Sequence, residues 1–293
     1  MPEGDTVARA ARRMRAALAG HVVTGSDFRV PRWATADLTG RTVLEVVPRG
    51  KHLLTRFSGG LTLHTHFRMD GSWHLYRPGE PWTGGPKWQV RVVLTTAERV
   101  AVGYRLPVVD LLATAEEASV VGHLGPDVLG PDWDLGRVLA ALAAEPDRPL
   151  GAALLDQRIL AGLGNIYRTE ACFLHGVTPW TPVGAVDSPA KLIERARTLI
   201  RANVDRPEQI TTGSARRGET HWVYGRASRP CRRCGTRIRR AEQSVARAMP
   251  DPGEPAGNPT RITYWCPSCQ RGPGPSEAET AAGGRRHPTV QPL

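Results

Sequence analysis

The sequence predicts an α+β multidomain chain: an N-terminal helix with an antiparallel β-sandwich, then a helical domain, then a C-terminal zinc-finger β-hairpin. Three observations predict it. Apolar residues recur at helical spacing over residues 2–19, switch to short β-type runs from about 21 to 112, and return to helical spacing after Pro131. Two Cys-x-x-Cys pairs, Cys231 with Cys234 and Cys266 with Cys269, close the ordered part of the chain. At 293 residues, with 40% hydrophobic and 23% charged content, the chain is long enough for about two domains and too apolar to be disordered.

In the first segment Val7, Ala10, Ala11, Met14, Ala17 and Leu18 fall on one helical face, and Gly20 stops the helix. Pro2 with the acids Glu3 and Asp5 suits a helix start. Runs such as 42–47, 52–57, 61–63 and 90–94, parted by Gly and Pro turns, then read as strands of a sandwich or barrel. Beyond Pro131 the pattern predicts helices over 134–144, 149–161, 164–174 and 188–204, broken at Pro146, Gly162, Gly164 and the 176–187 loop. From Trp222 the composition turns to Arg, Cys and Gly, and the tail 272–293 is poor in large apolar residues and expected to be disordered. The expected boundaries are therefore 1–130, 131–221, 222–271 and the tail 272–293.

The formal charge is +11, from 39 Lys plus Arg against 28 Asp plus Glu, which points to a phosphate-rich partner. Most of the excess is local: residues 201–250 hold 12 Arg and no Lys against 4 acids. Charge runs are usually solvated faces, but these arginines interleave with Trp222, Tyr224 and a cysteine pair, which argues for a folded segment. No run of about 18 apolar residues exists, and the chain opens Met-Pro-Glu-Gly-Asp instead of with a basic stretch and apolar core, so a cytosolic protein is expected.

Each Cys-x-x-Cys pair can present two thiolates to one ion, and four such sulfurs close a tetrahedral site around a single structural zinc. A redox dithiol is the weaker alternative, because no thioredoxin-like βαβ pattern precedes the pairs. The interval from Cys234 to Cys266 is longer than usual, and 249–259 reads as a loop inserted between two strands. Cys172, left over beside Ala171 and Phe173, reads as a buried small hydrophobe.

Removal of Met1, which a following proline permits, would leave Pro2 as a terminal secondary amine beside Glu3. An α-amine is neutral far more often at pH 7 than a lysine, though proline's ring nitrogen is more basic than most. Its attack on a sugar C1′ gives an iminium, an electron sink for elimination. From position 2 alone, the plain helix-start reading leads.

Five motifs then occur in order: Met1-Pro2-Glu3-Gly4-Asp5, Arg49-Gly50-Lys51-His52-Leu53-Leu54, Leu155-Asp156-Gln157 through Gly164-Asn165-Ile166-Tyr167, Val223-Tyr224-Gly225-Arg226, and Thr263-Tyr264-Trp265-Cys266-Pro267-Ser268-Cys269. With these the chain resembles the formamidopyrimidine-DNA glycosylase and endonuclease VIII family over roughly residues 2–271, and its 66–73 and 157–162 segments resemble the actinobacterial endonuclease VIII type most. The resemblance implies a bifunctional base excision repair enzyme of the bacterial cytoplasm, monomeric and nucleoid-associated through DNA. Such an enzyme everts a damaged base, excises it and cuts the abasic site by β,δ-elimination. It also implies that the helical domain carries a helix-two-turn-helix motif. Pro2 matches the family's nucleophile, Glu3 its general acid, Lys51 a phosphate contact and proton donor for β-elimination, and Asn165 a phosphate contact. Without the match, Lys51 reads as a solvated turn lysine and Asn165 as an N-cap. Arg261 takes the place of the hairpin arginine that binds the lesion phosphate and assists δ-elimination, with Thr260 where the family usually has glycine. Glu170, on the Asn165 helix, supports the site or makes a cap or salt bridge.

A plain DNA-binding zinc protein would use the basic segment and the cysteines but assign nothing to Pro2 and Glu3; an inactive damage sensor with this fold is disfavoured because both are present. Oxidised pyrimidines are expected to be preferred, with 8-oxoguanine or formamidopyrimidine as the alternative. The purine-excising relatives carry a longer loop before Val-Tyr-Gly-Arg than the 210–222 connection here, and an inserted Arg and Phe that 104–110 lacks. The gap left by an everted base would be filled by Arg68, Met69 and Asp70, with Met69 as the wedge; packing of Met69 in the sheet is the alternative.

Overall fold

The computed structural model of the chain describes residues 2–245 and 260–283. Helix α1 (Gly4–Leu18) starts after Glu3, its extended N-cap, and buries Val7, Ala11, Met14 and Leu18 against the sandwich. The strands β1 (Val23–Phe28), β2 (Val43–Arg49), β3 (His52–Phe57), β4 (Leu61–His66), β5 (Ser72–Tyr76), β6 (Val90–Thr96), β7 (Val100–Tyr104) and β8 (Val108–Ala113) follow. They pair antiparallel into two four-stranded sheets, ordered β1-β6-β7-β5 and β2-β3-β4-β8. Val23, Phe28, Val92 and Leu94 of one sheet share a core with Val43, Val46, Leu53, Phe57 and Leu63 of the other. Two sheets packed face to face share one such layer, and a further cluster of Tyr76, Val90, Val93, Val100, Val102 and Tyr104 leaves β7 buried along its whole length.

Helices α2 (Ala118–Val121), α3 (Leu135–Ala143), α4 (Leu150–Ala153), α5 (Asn165–His175) and α6 (Pro189–Arg201) come next. A second core, running from Val128 through Leu154, Leu160 and Tyr167 to Ile200, packs most of them together. One helix is much shorter than the periodicity predicts: the 149–161 stretch is helical only over Leu150–Ala153. The reason is local competition by polar side chains. Asp156 Oδ1 accepts from Arg158 N at 3.1 Å, and Gln157 gives its amide to Leu155 O and Leu163 O while its Oε1 takes Gly162 N at 2.9 Å.

Strands β9 (Arg239–Ser244) and β10 (Thr260–Trp265) form the hairpin, with Arg261 opposite Gln243 and Thr260 opposite Ser244. Thr260 therefore continues the strand. The expected insertion at 249–259 lies outside the described residues. The expectation of a disordered tail from residue 272 is corrected over its first part, where helix α7 (Glu277–Gly283) forms. Glu279 accepts from Trp180 Nε1 at 3.0 Å and from Ser244 N at 2.9 Å, and Pro273 O accepts from Thr178 Oγ1 at 2.6 Å. Composition misses this because the order comes from polar ties to the edge of β9 instead of from an apolar core. Residues 284–293 lie outside the described residues. Among those described, no helix is long and apolar enough to cross a membrane.

Candidate active site

Glu3 is fully buried, and its carboxylate reaches out of the first domain to the start of α5. There Oε2 accepts from Gly164 N at 2.9 Å and Oε1 from Ile166 N at 2.7 Å, so the N-terminus of α5 is capped by a side chain from the other end of the sequence. Gly164 is a glycine for room: a Cβ there would lie 2.4 Å from Glu3 Cδ. The two amides and the positive charge of Lys51 favour the carboxylate, but burial outweighs them and pushes its pKa up to about 7. Pro2, half-buried, precedes it directly. The structure thus holds a carboxyl that can carry a proton at neutral pH next to the residue read as the nucleophile.

Lys51 sits in the turn between β2 and β3. Gly50 adopts a φ of 57°, and a Cβ there would come within 3.3 Å of Gly162 N. Gly50 N donates to Asp127 Oδ2 at 2.6 Å, and Asp127, between α2 and α3, bridges to Ala161, which fastens this turn to the loop before α5. Lys51 therefore belongs to the same locality as Glu3. Behind it lie His52 and His64, buried and joined Nδ1 to Nε2 at 2.8 Å. Burial drives both imidazoles below their ordinary pKa, His64 to about 4, so they stay neutral beside the lysine.

Asn165, the first residue of α5, donates from Nδ2 to Ile262 O at 2.9 Å and accepts from Arg168 on Oδ1. Its side chain thus ties the helix to the hairpin, a contact the sequence did not suggest. Arg261 lies on β10 one residue before that carbonyl. Hence Glu3, Asn165 and Arg261, read from three distant motifs, converge on the N-terminus of α5. Glu170 has a structural part: its carboxylate accepts from Trp222 N, Val223 N and Tyr224 N at 2.8–2.9 Å, and from Thr211 Oγ1. It holds the Val-Tyr-Gly-Arg segment to α5.

The turn joining β4 to β5 carries Arg68, Met69 and Asp70. Met69 is 60% exposed, which sets aside the reading that it packs in the sheet. Arg68 has a φ of 48°, and Asp70 O accepts from Arg105 Nε at 3.1 Å. Arg105, which the sequence reading passed over, braces this turn from the β7–β8 loop. Also missed were Arg168 and the Asp5 network, in which Asp5 accepts from Tyr167 Oη at 2.9 Å and from Gln209 at 3.1 Å. Asp5 lies away from the apolar stripe of α1, so its burial comes from Tyr167 and Gln209, which only the fold brings to it.

The Sγ atoms of Cys231, Cys234, Cys266 and Cys269 all lie within 4.8 Å of one another. Cys231 and Cys269 are 3.9 Å apart and Cys234 and Cys266 3.5 Å, far beyond a disulfide and close to the ~3.8 Å edge of a tetrahedron of sulfurs about 2.3 Å from zinc. The four residues fit a metal ion. Cys231 and Cys266 also pack with Val223 and Ile238 against Phe173 of α5, so the cluster seats the hairpin on the helical domain. Cys172 is buried in the second core, as a small hydrophobe.

Residues 1–106 match the family profile described as the formamidopyrimidine-DNA glycosylase N-terminal domain, and residues 124–212 match the formamidopyrimidine-DNA glycosylase H2TH domain. The chain belongs to this family. It is 61% identical over 277 residues to the probable endonuclease 8 2 of Streptomyces coelicolor, covering 94% of this chain and 96% of that protein. It is 45% identical over 270 residues to the DNA-(apurinic or apyrimidinic site) lyase Nei2 of Mycolicibacterium smegmatis, covering 92% and 99%. The fold is also that of MutM in complex with DNA containing carbocyclic 8-oxo-G, with a TM-score of 0.73 and 21% identity over 92% of this chain and 100% of that one. Lactococcus lactis formamidopyrimidine-DNA glycosylase bound to abasic-site DNA gives 0.73 at 22% identity, over the same shares of the two chains.

Proposed function

We propose that this protein is a base excision repair enzyme, a bifunctional DNA glycosylase and abasic-site lyase, that prefers oxidised pyrimidines. The observation that carries the reading is Glu3: a fully buried carboxyl with its pKa raised to about 7, beside Pro2 and at the helix end where Asn165 bonds Ile262 O, on the strand that carries Arg261. In this scheme the Pro2 nitrogen attacks C1′ of the everted nucleotide, and Glu3 supplies a proton as the sugar ring opens and the base departs. The resulting iminium draws electrons from C2′, which loses a proton, and the 3′-phosphate leaves; loss of the 5′-phosphate completes β,δ-elimination. Lys51 holds phosphate and donates a proton in the first elimination, and Asn165 and Arg261 hold the lesion phosphate. Zinc, bound by Cys231, Cys234, Cys266 and Cys269, would supply folding energy to the hairpin and no open coordination site.

The pyrimidine preference is supported by the connection between α6 and the Val-Tyr-Gly-Arg segment, which is short and tied to itself. Thr211 N donates to Thr220 O at 2.8 Å and Thr212 Oγ1 to Glu219 O at 2.6 Å, and Arg232, beside the first cysteine pair, holds Gly218 O from outside at 2.5 Å. A loop closed in this way has little reach to cover an everted purine. The enzyme acts in this scheme as a monomer on duplex DNA in the cytoplasm.

Borohydride reduction in the presence of abasic-site DNA tests the chemistry. A protein with Pro2 as its free terminus should give a covalent adduct, and one that retains Met1 or an N-terminal tag should bind DNA yet trap none. Trapping by a tagged protein would exclude Pro2. Thymine glycol or 5-hydroxycytosine should be excised faster than 8-oxoguanine opposite C, and the reverse order would overturn the substrate preference alone.

A further inference from the structure

Arg168 is a fully buried arginine, 0% exposed, on α5 one turn after Asn165. Its guanidinium donates to Asn165 Oδ1 through Nε at 3.1 Å and Nη2 at 2.5 Å, to Gln243 Oε1 through Nη1 at 2.5 Å, and to Thr263 Oγ1 through Nη2 at 2.6 Å. All of these acceptors are neutral oxygens. A buried cation ordinarily requires an anion, and this one is left with charge to share while burial lowers its pKa only to about 10, so it is protonated at neutral pH.

The placement of those partners is informative. Gln243 pairs directly with Arg261 across the hairpin, and Thr263 lies two residues beyond Arg261 on the same strand. Residues directly opposite and residues two apart share a face of the ribbon, so Arg261, Gln243 and Thr263 face α5 together. Arg168 thus grips the hairpin at the rung that carries Arg261 and, with the same fork, orients the Asn165 amide. The chain leaves room for this grip at Gly151, where a Cβ would lie 2.4 Å from Gln243 Oε1 and 2.7 Å from Arg168 Nη1. A two-stranded ribbon has little rigidity of its own, and the cysteine cluster fixes only its base.

We infer that Arg168 is a positioning residue, which sets the hairpin against α5 so that Arg261 and Asn165 address the same phosphate, and that its loss falls on the second elimination. This rests on the lyase reading above. The hydrogen bonds of Arg168 go to Asn165, Gln243 and Thr263 and none to Pro2 or Glu3, which Arg168 meets only through its charge, so iminium formation should survive a substitution that keeps that charge and fall little in one that does not. A displacement of Arg261 by about 1 Å is enough to cost on the order of 100-fold in a step that depends on its placement.

Arg168→Met, Arg168→Lys and Thr263→Val test this on duplex DNA carrying a ready-made abasic site, with borohydride trapping, the ratio of δ to β product and melting temperature measured together. Both Arg168 variants should trap at near wild-type rates while the δ to β ratio falls about tenfold or more, because lysine keeps the charge but lacks the fork. Thr263→Val should lower the ratio several-fold, and it carries the test if the Arg168 variants do not fold. An unchanged ratio in a folded variant, or equal loss of trapping and δ product, would overturn the inference. So would a wild-type protein that traps but yields only β product, which leaves the lyase reading intact; failure of the wild type to trap would instead remove that reading.

Discussion

At Glu3 two opposing effects are resolved by magnitude. Its backbone hydrogen bonds and Lys51 favour the anion, desolvation favours the acid, and desolvation wins, with a pKa near 7. Release of an intact damaged base should therefore decline as the pH rises through about 7, whereas cleavage of a ready-made abasic site should not follow that limb. Glu3→Gln should slow base release by about 100-fold or more, within the range of general acid catalysis, and leave the lyase step far less affected. Parallel rate profiles for the two substrates check both points. The same shift acts on stability: the folded state binds this proton more tightly than the unfolded chain, so the contribution is fully present below pH about 4.5 and is lost as the pH rises through about 7. Gly164→Ala tests the close approach itself. With a Cβ placed 2.4 Å from Glu3 Cδ, the substitution should cost roughly 1–3 kcal/mol in chemical denaturation and displace the acid.

The hairpin and α5 are the elements that assemble the phosphate-facing groups, and neither does so alone. The ribbon of β9 and β10 is anchored through Cys231 and Cys266 on Phe173, and the Arg233 guanidinium lies 4.7 Å from the centre of that ring. One zinc per chain is expected by metal analysis. A Cys→Ser change at any of the four positions should release the metal, free the hairpin and weaken DNA binding by about tenfold or more, with Glu3 and Pro2 untouched. Chelated protein with full DNA affinity would contradict that. Element lengths show where periodicity misleads: the run after Pro149 has helical spacing, yet Asp156 and Gln157 turn the chain with their side chains and shape the loop that meets Gly50.

At the scale of the whole molecule, a formal charge of +11 with its excess in the C-terminal half calls for binding that weakens steeply with salt. Each phosphate neutralised should add about 0.9 to the slope of log affinity against log salt. In the first domain, the β4–β5 turn offers the exposed Met69. Met69→Ala should reduce excision from duplex DNA by about tenfold and from single strands much less, because only a duplex has a stack to wedge. Equal effects on both substrates would remove the wedge role.

The sequence by itself determined the parts whose signals are local. Short β-type runs between Gly and Pro turns marked strands, period-3.6 runs marked helices, and two Cys-x-x-Cys pairs marked the metal cluster, whereas Pro2, Lys51, Asn165 and Arg261 stood out only through the family resemblance that their motifs carry. Tertiary structure alone decided what those parts touch. That Glu3 caps a helix more than 160 residues away, that Glu170 gathers three backbone amides, and that Arg168 grips the rung of Arg261 are all long-range contacts. So is the packing of α7 on β9 through Glu279. Local patterns record which face of a segment is buried, because burial repeats with the backbone period. They do not record the partner, because a buried polar side chain is satisfied by whichever group the fold delivers, and that choice is written in the packing of distant elements.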